Sequence, residues 1–390
     1  MNEWKKVRFL DVVHLNPRIS LEKGVEYPFV EMSNVVPCAR KPEKDVFKKY
    51  LGEGTKFEQG DTIVARIEPC LQNGKGFQCS YKQGFGSTEF LVFRPVNIND
   101  LDCDFLYYYM GQQSIREAMA KTMVGASGRQ RVNNKVFNDL QINLPPLSTQ
   151  HCIANILSRY DSLIENYQKQ IKLLEEAAQR LYKEWFVDLR FPGHENTKIV
   201  DGVPEGWEKK SIGEIGEYLN GFAFKPSDWQ DLGKPIIKIK EMGNGVTNET
   251  PRNSGERVPA KYLIKTGDLL FSWSATLMVI IWSGEEGWLN QHLFKVTPVK
   301  GIDREFLLQS ISNTIVEFQN LTTGSTMKHI QRGKLKEVHV NVPNGRTMRK
   351  YKSISEPIRE RLLNLKREII LLQEARDRLL PKLMSGEIVV

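Results

Sequence analysis

The side chains best suited to chemistry in this sequence are basic and amide groups, and they fall in two runs. Residues 121–135 carry Lys121, Arg129, Arg131 and Lys135 with no acidic residue, interleaved with Gln130, Asn133 and Asn134. Residues 322–336 carry Lys328, Arg332, Lys334 and Lys336, also without an acid, together with His329 and Gln331. Arg and Lys attract phosphate whatever the base sequence. Arg also pairs bidentately with guanine, and Asn or Gln with adenine. Runs of this composition can hold a nucleic acid and read it. Arg66, Gln72, Asn73 and Lys75 form a secondary set with the same chemistry, as do Asn220, Lys225, Trp273 and Ser274. Any one such run alone reads as a solvated basic loop; two acid-free loops at equivalent places favour DNA.

Signatures of catalysis are missing. Gly52-Glu53-Gly54 and Gly243-Asn244-Gly245 lack the further glycines and the strand–helix setting of a phosphate-binding loop. Leu144-Pro145-Pro146-Leu147 has no aromatic residue and Asn143 is one residue out, so it fails as an adenine methyltransferase loop. The six histidines are scattered without metal-ligand spacing, and His292 and His329 read as polar loop or edge residues. Five cysteines form no CxxC pair, and Cys70 and Cys79 read as packed thiols. No run approaches 18 apolar residues, and the polar start reads as no signal peptide. The expected setting is a reducing cytoplasm. A net charge of +8 over 390 residues favours a polyanionic partner.

The element that must position these loops is a long helix. Alternating steps of four and three from Ile153 reach Leu157, Tyr160, Ile164, Tyr167, Ile171, Leu174, Ala178, Leu181 and Trp185. All are apolar or aromatic in a chain that is 40% hydrophobic, which marks a heptad seam. Arg159, Asp161, Glu165, Lys169, Lys172, Glu175, Glu176, Arg180 and Lys183 lie between them and suit a solvated face. About 39 residues make a rod of roughly 58 Å, which cannot bury its stripe alone. The partner lies at a constant offset of 198 residues (Ile153 to Tyr351): Tyr351, Ser355, Ile358, Leu362, Leu365, Ile369, Leu372, Arg376, Leu379 and Leu383. Ser148 or Thr149 can cap the first helix. Asn344-Gly345-Arg346 replaces the Pro146-Leu147-Ser148 entrance, and Arg376 replaces Ala178. Both changes predict a later start and looser packing for the second helix.

The repeat extends beyond the helices. Trp4-Lys5-Lys6-Val7 matches Trp207-Glu208-Lys209-Lys210; Gly60-Asp61 matches Gly267-Asp268; and residues 90–95 match 293–298. Strands are expected over 63–67, 89–93 and 140–144, with helices over 104–121 and 304–320. Residues 275–282 read as a buried strand. The fold class is α+β: two pseudo-repeated, mainly-β domains (1–146, and 193–343 with its connector) separated by two long antiparallel coiled-coil helices (147–192 and 344–390). An internal repeat outranks local motifs as a sign of architecture.

The sequence resembles a specificity subunit of a type I restriction-modification system. The resemblance rests on Leu144-Pro145-Pro146-Leu147 with Gln150 and Ile153, on Leu181-Tyr182-Lys183-Glu184-Trp185-Phe186-Val187 through Phe191-Pro192-Gly193, on Gly206-Trp207, on Gly221-Phe222-Ala223-Phe224-Lys225, and on Lys382-Leu383-Met384-Ser385-Gly386-Glu387-Ile388. It covers the whole chain. It implies a non-catalytic chain whose two domains each read half of a bipartite, asymmetric site in double-stranded DNA. The helices would space the domains and dock two methylation subunits. Those partners would hold S-adenosylmethionine, and a restriction subunit would use ATP and Mg; this chain would hold no cofactor or metal. The competing reading is a coiled-coil DNA-architectural or adaptor protein. It predicts near-identical binding units, whereas the two units here differ at most loop positions.

Overall fold

The computed structural model describes residues 4–126, 130–247, 249–320 and 332–390. The chain divides into two units, one made of Met1–Asn166 with Leu371–Val390 and the other of Tyr167–Ile370. Each unit therefore contains a stretch of both long helices.

In the first unit, Lys5–Arg8 pairs antiparallel with Gln141–Leu144, closing the β unit at the foot of the first long helix. One four-stranded sheet has the order Val13–Leu15, Phe90–Pro95, Thr62–Ala65, Gly76–Gln78, all antiparallel. The other runs Phe47–Lys49, Glu26–Val30, Gln83–Gly86, Thr55–Glu58, with a parallel pairing at its centre. The turn before Thr62 is made by Gly60, at φ 89°, a conformation that favours glycine. The next residue, Asp61, is fully buried and accepts two hydrogen bonds from Arg94, 2.6 and 2.8 Å long. The insert helix Cys103–Gly111 is capped by Asp102, whose side chain accepts from the Phe105 amide. Gln113–Ala120 follows it.

The second unit repeats this topology. Glu208–Ser211 pairs with His339–Val342. One sheet runs Gly216–Asn220, Leu293–Pro298, Leu269–Ser272, Met278–Ile281, and the other Arg252–Asn253, Lys234–Ile237, Gly287–Leu289, Leu263–Ile264, again with one parallel pairing. Asp303 caps Arg304–Asn313. The apolar run 275–282 is not a buried strand. Only Met278–Ile281 is extended, and as the edge of its sheet it is half-buried on both faces.

The first long helix spans Leu147–Tyr182 and the second Gly345–Ser385. They begin at the same offset, so the later start expected for the second does not occur: the Asn344 side chain accepts from the Thr347 amide and caps it. Ser148 and Thr149 fall inside the first turn of the first helix rather than at its cap. Its α-helical pattern ends at Tyr182 and continues as one wider turn, Lys183–Val187. Every residue of both stripes is buried or half-buried. In the first unit Ile153, Leu157, Leu383 and Met384 enter one cluster with Phe9, Phe93, Phe105 and Phe137. In the second, Trp185, Phe186 and Tyr351 pack on Phe306, with Phe186 and Tyr351 rings 4.9 Å apart. The stripe ends thus plug into the β units, each fully buried Leu or Ile contributing roughly 1.5–3 kcal/mol. Within the second unit Glu175 meets Lys366 and Trp185 meets Tyr351, so the helices run antiparallel.

Asp161 does not lie on a solvated face. It is 5% exposed and accepts from Arg376 Nη1 at 2.7 Å and from the Tyr108 hydroxyl at 2.6 Å. Arg376 is 8% exposed and donates also to the Cys38 carbonyl at 3.1 Å. The substitution at the Ala178-equivalent position is therefore filled by an ion pair, not by looser packing. Burial opposes the Arg376 charge, but the Asp161 carboxylate outweighs it and pushes the guanidinium's pKa up.

Candidate nucleic-acid interface

In the first unit the strand Thr62–Ala65 delivers Arg66 to its end, where two loops meet it. Arg66 N donates to the Glu89 carbonyl at 2.9 Å, and Val132 N donates to the Arg66 carbonyl. Glu68 N donates to the Gln130 carbonyl, and Arg131 bridges to both Ile67 and Val124. The loop carrying Gln130 and Arg131 is thus fastened by its backbone to the strand end. The exposed Arg131 guanidinium donates to both oxygens of Glu89, with Nε to Oε2 at 2.8 Å. Those hydrogen bonds hold the Glu89 carboxyl below the usual carboxylate range. Arg66 Nε is buried and has no hydrogen-bond partner among the described residues. Arg66, Gln130 and Arg131 are therefore brought together.

Lys75 and Lys135 are not part of that group. The half-buried Lys75 Nζ donates to the Met32 carbonyl at 2.8 Å. Lys135 is exposed and opens the short helix Val136–Asp139. Gln72 donates to Glu68 at 2.7 Å. Arg129 lies outside the described residues.

The second unit puts different chemistry at the equivalent place. Leu269–Ser272 delivers Trp273 to its end, and Trp273 N points at the His292 carbonyl at 3.4 Å, as Arg66 N does at Glu89. The indole Nε1 donates to Asn220 Oδ1 at 3.2 Å, its ring lies 5.9 Å from His292, and Ser274 Oγ lies 3.3 Å from His292 Nδ1. Asn220, Trp273, Ser274 and His292 form one cluster, with Asn220 and His292 exposed. His292 is a member that its type and isolation in the sequence did not reveal; its position one before the Leu293 strand, matching Glu89 before Phe90, is the signal that finds it. Lys225 is exposed in a separate loop, its amide donating to Asp228. Lys334 pairs with Glu337 at 2.8 Å in the turn Arg332–Lys336. Lys328, His329 and the side chain of Arg332 lie outside the described residues.

The scaffold thus offers the same strand end twice with different chemistry, Arg66 with Glu89 and Arg131 in one unit and Trp273 with His292 and Asn220 in the other. Among the described residues no group of three or more His, Cys, Asp or Glu could hold a metal, and all five cysteines are free. No helix of the described residues is long and apolar enough to cross a membrane.

The family model for the type I restriction modification DNA specificity domain matches residues 1–176 and 204–367, and the chain belongs to that family. It is similar to the type I restriction enzyme MjaIX specificity subunit of Methanocaldococcus jannaschii, 26% identical over 73% of this chain and 69% of that one. The type I restriction enzyme HindI specificity subunit of Haemophilus influenzae is 24% identical over the whole of both chains. Among solved structures, an S subunit of a type I restriction-modification system from M. genitalium superposes with a TM-score of 0.52 at 18% identity, covering 97% of this chain and 96% of that one, which shows a shared fold. The chain is accordingly the DNA-recognising, non-catalytic member of a type I restriction-modification complex, in which methylation and restriction belong to other subunits.

Proposed function

We propose that the two units read the two halves of a bipartite, asymmetric DNA site, and that the paired long helices set the unread gap. The observation that carries this is the strand-end equivalence: Arg66 and Glu89 on one unit, Trp273 and His292 on the other, each pair joined by a different further side chain, Arg131 in the first and Asn220 in the second. The same scaffold with different donors and acceptors calls for two different base sequences. Recognition of the first half-site is assigned to Arg66, Gln130 and Arg131 with Arg129, and of the second to Lys328, His329 and Arg332 with Trp273. Lys75, Lys135, Lys225 and Lys334 contribute to phosphate attraction. A helix of this length, at 1.5 Å per residue, limits the separation to about 17 base pairs at 3.4 Å each.

The exposed outer faces of the helices dock two methylation subunits, one toward each half-site. S-adenosylmethionine, ATP and Mg belong to the partner subunits, and the complex works in the cytoplasm on double-stranded DNA. Sequencing the methylated motif in cells carrying the system identifies both halves. Binding is then measured on DNA with either half scrambled. Arg129→Ala with Arg131→Ala should weaken recognition of one half only, and Lys328→Ala with Arg332→Ala the other. Equal sensitivity of all four on both halves would sink the two-reader proposal.

A further inference from the structure

The two units treat one pair of equivalent helix positions differently. In the first, Asp161 and Arg376 form the ion pair described above, closed by the Tyr108 hydroxyl. The offset of 198 residues (Ile153 to Tyr351) carries Asp161 to Arg359 and Ala178 to Arg376. In the second unit Arg359 and Ala178 line one cavity, and Arg359 donates instead to Glu356 on its own helix, at 3.0 Å. The buried cross-helix pair therefore occurs in one unit and not at the equivalent place in the other.

The two helices keep one register, so like helices of two separate copies could pack in the same antiparallel way. First against first would set Asp161 of each copy against Ala178 of the other, leaving two buried carboxylates without a cationic partner. Second against second would set Arg376 of each copy against Arg359 of the other, two guanidinium groups facing each other. Only first against second brings Asp161 to Arg376. Removing one partner of a buried pair is strongly destabilising, whereas replacing both by apolar groups is often neutral. A lone polar or charged residue in a helix seam is also the best-attested device for fixing partner and register.

We propose that the Asp161–Arg376 pair selects pairing of the first long helix with the second and excludes like-with-like pairing between two copies of this chain. The consequence, that every assembly holds one of each unit and so reads an asymmetric site, rests on the function proposed above; the pairing itself does not.

The test uses the full chain with a protease site in the connector, residues 193–206, cut after folding so that both pieces remain together. Isotope-labelled and unlabelled preparations are mixed and followed by native mass spectrometry. The wild type should show only first-with-second complexes. Asp161→Leu with Arg376→Met, which removes the pair but keeps the volume, should raise like-with-like complexes at least tenfold. If that variant does not fold, a second mixture decides: cut Asp161→Arg chain with cut Arg376→Asp chain. Pieces should then exchange so that Arg at 161 pairs with Asp at 376 in preference to either parent pairing. Unchanged exclusivity in the apolar variant, or random exchange in the mixture, overturns the proposal.

Discussion

Replacing Asp161 by Ala should strongly destabilise the first unit. The substitution leaves the Arg376 guanidinium buried with two of its bonds, to the Cys38 carbonyl at 3.1 Å and to Asp377 at 3.0 Å, and leaves the Tyr108 hydroxyl without its acceptor. Breaking a buried ion pair by removing one partner costs about 3–5 kcal/mol, and the surviving bonds place the loss near the lower end, about 3–4 kcal/mol. For a body of this size each kcal/mol moves the melting temperature by roughly 2–4 °C. The first unit's transition should therefore fall by about 6–16 °C in calorimetry, and that of the second unit should stay in place. Asp161→Leu with Arg376→Met removes both charges and should lie within about 1 kcal/mol of the wild type. A single Ala variant that melts within 2 °C of the wild type, or a double variant as unstable as the single, would refute the reading of this site as a partnered buried charge.

Three further outcomes follow from other parts of the molecule. Arg131→Ala should weaken binding to one half-site by roughly ten- to a hundredfold, as for a lost base contact; titration against DNA with each half scrambled checks this. Glu89, held below the usual carboxylate range by Arg131, contributes stability that is present above the ordinary glutamate range and lost as pH falls through its lowered folded-state value. The stability difference between the wild type and Glu89→Gln should accordingly be present at pH 6 and shrink in acid; a difference that grows in acid contradicts the sign. Burial pushes the Cys79 thiol up to about 12, so alkylation at pH 8 should label exposed Cys38 and Cys152 and reach Cys79 only after unfolding, as counted by mass spectrometry.

The repeat and the helices were legible because periodicity and offset are local, additive signals. Ile153 to Trp185 announces a seam without any tertiary information, and Gly60-Asp61 against Gly267-Asp268 aligns the strands well enough to set Arg66 opposite Trp273. The pairing of charges was not legible. Asp161 lies in the first helix and Arg376 in the second, and in isolation one reads as a surface acid and the other as a flaw in the stripe. Their shared burial comes from the Tyr108 helix, which no periodicity of the long helices encodes. Arg131 was read from composition as a base-reading residue, but its bond to Glu89 is a long-range contact that composition cannot show. The edge position of Met278–Ile281 is hidden for a related reason: a run of apolar residues fits a buried strand and equally an edge strand half-buried on both faces. The sequence pattern runs past the end of the first α-helix because 183–187 keep an apolar pattern while changing their hydrogen bonding.

The most direct test of the whole account is to lengthen both long helices by four residues, after Asn166 in the first and after Ile370 in the second, and to sequence the methylated motif in cells carrying the altered chain. Four residues add roughly 6 Å, close to two base pairs at 3.4 Å each, and the added stutter need not break the seam. The motif should keep both half-sites with a gap longer by about two base pairs. Full activity with an unchanged gap would contradict the claim that the helices measure the DNA between two separate readers.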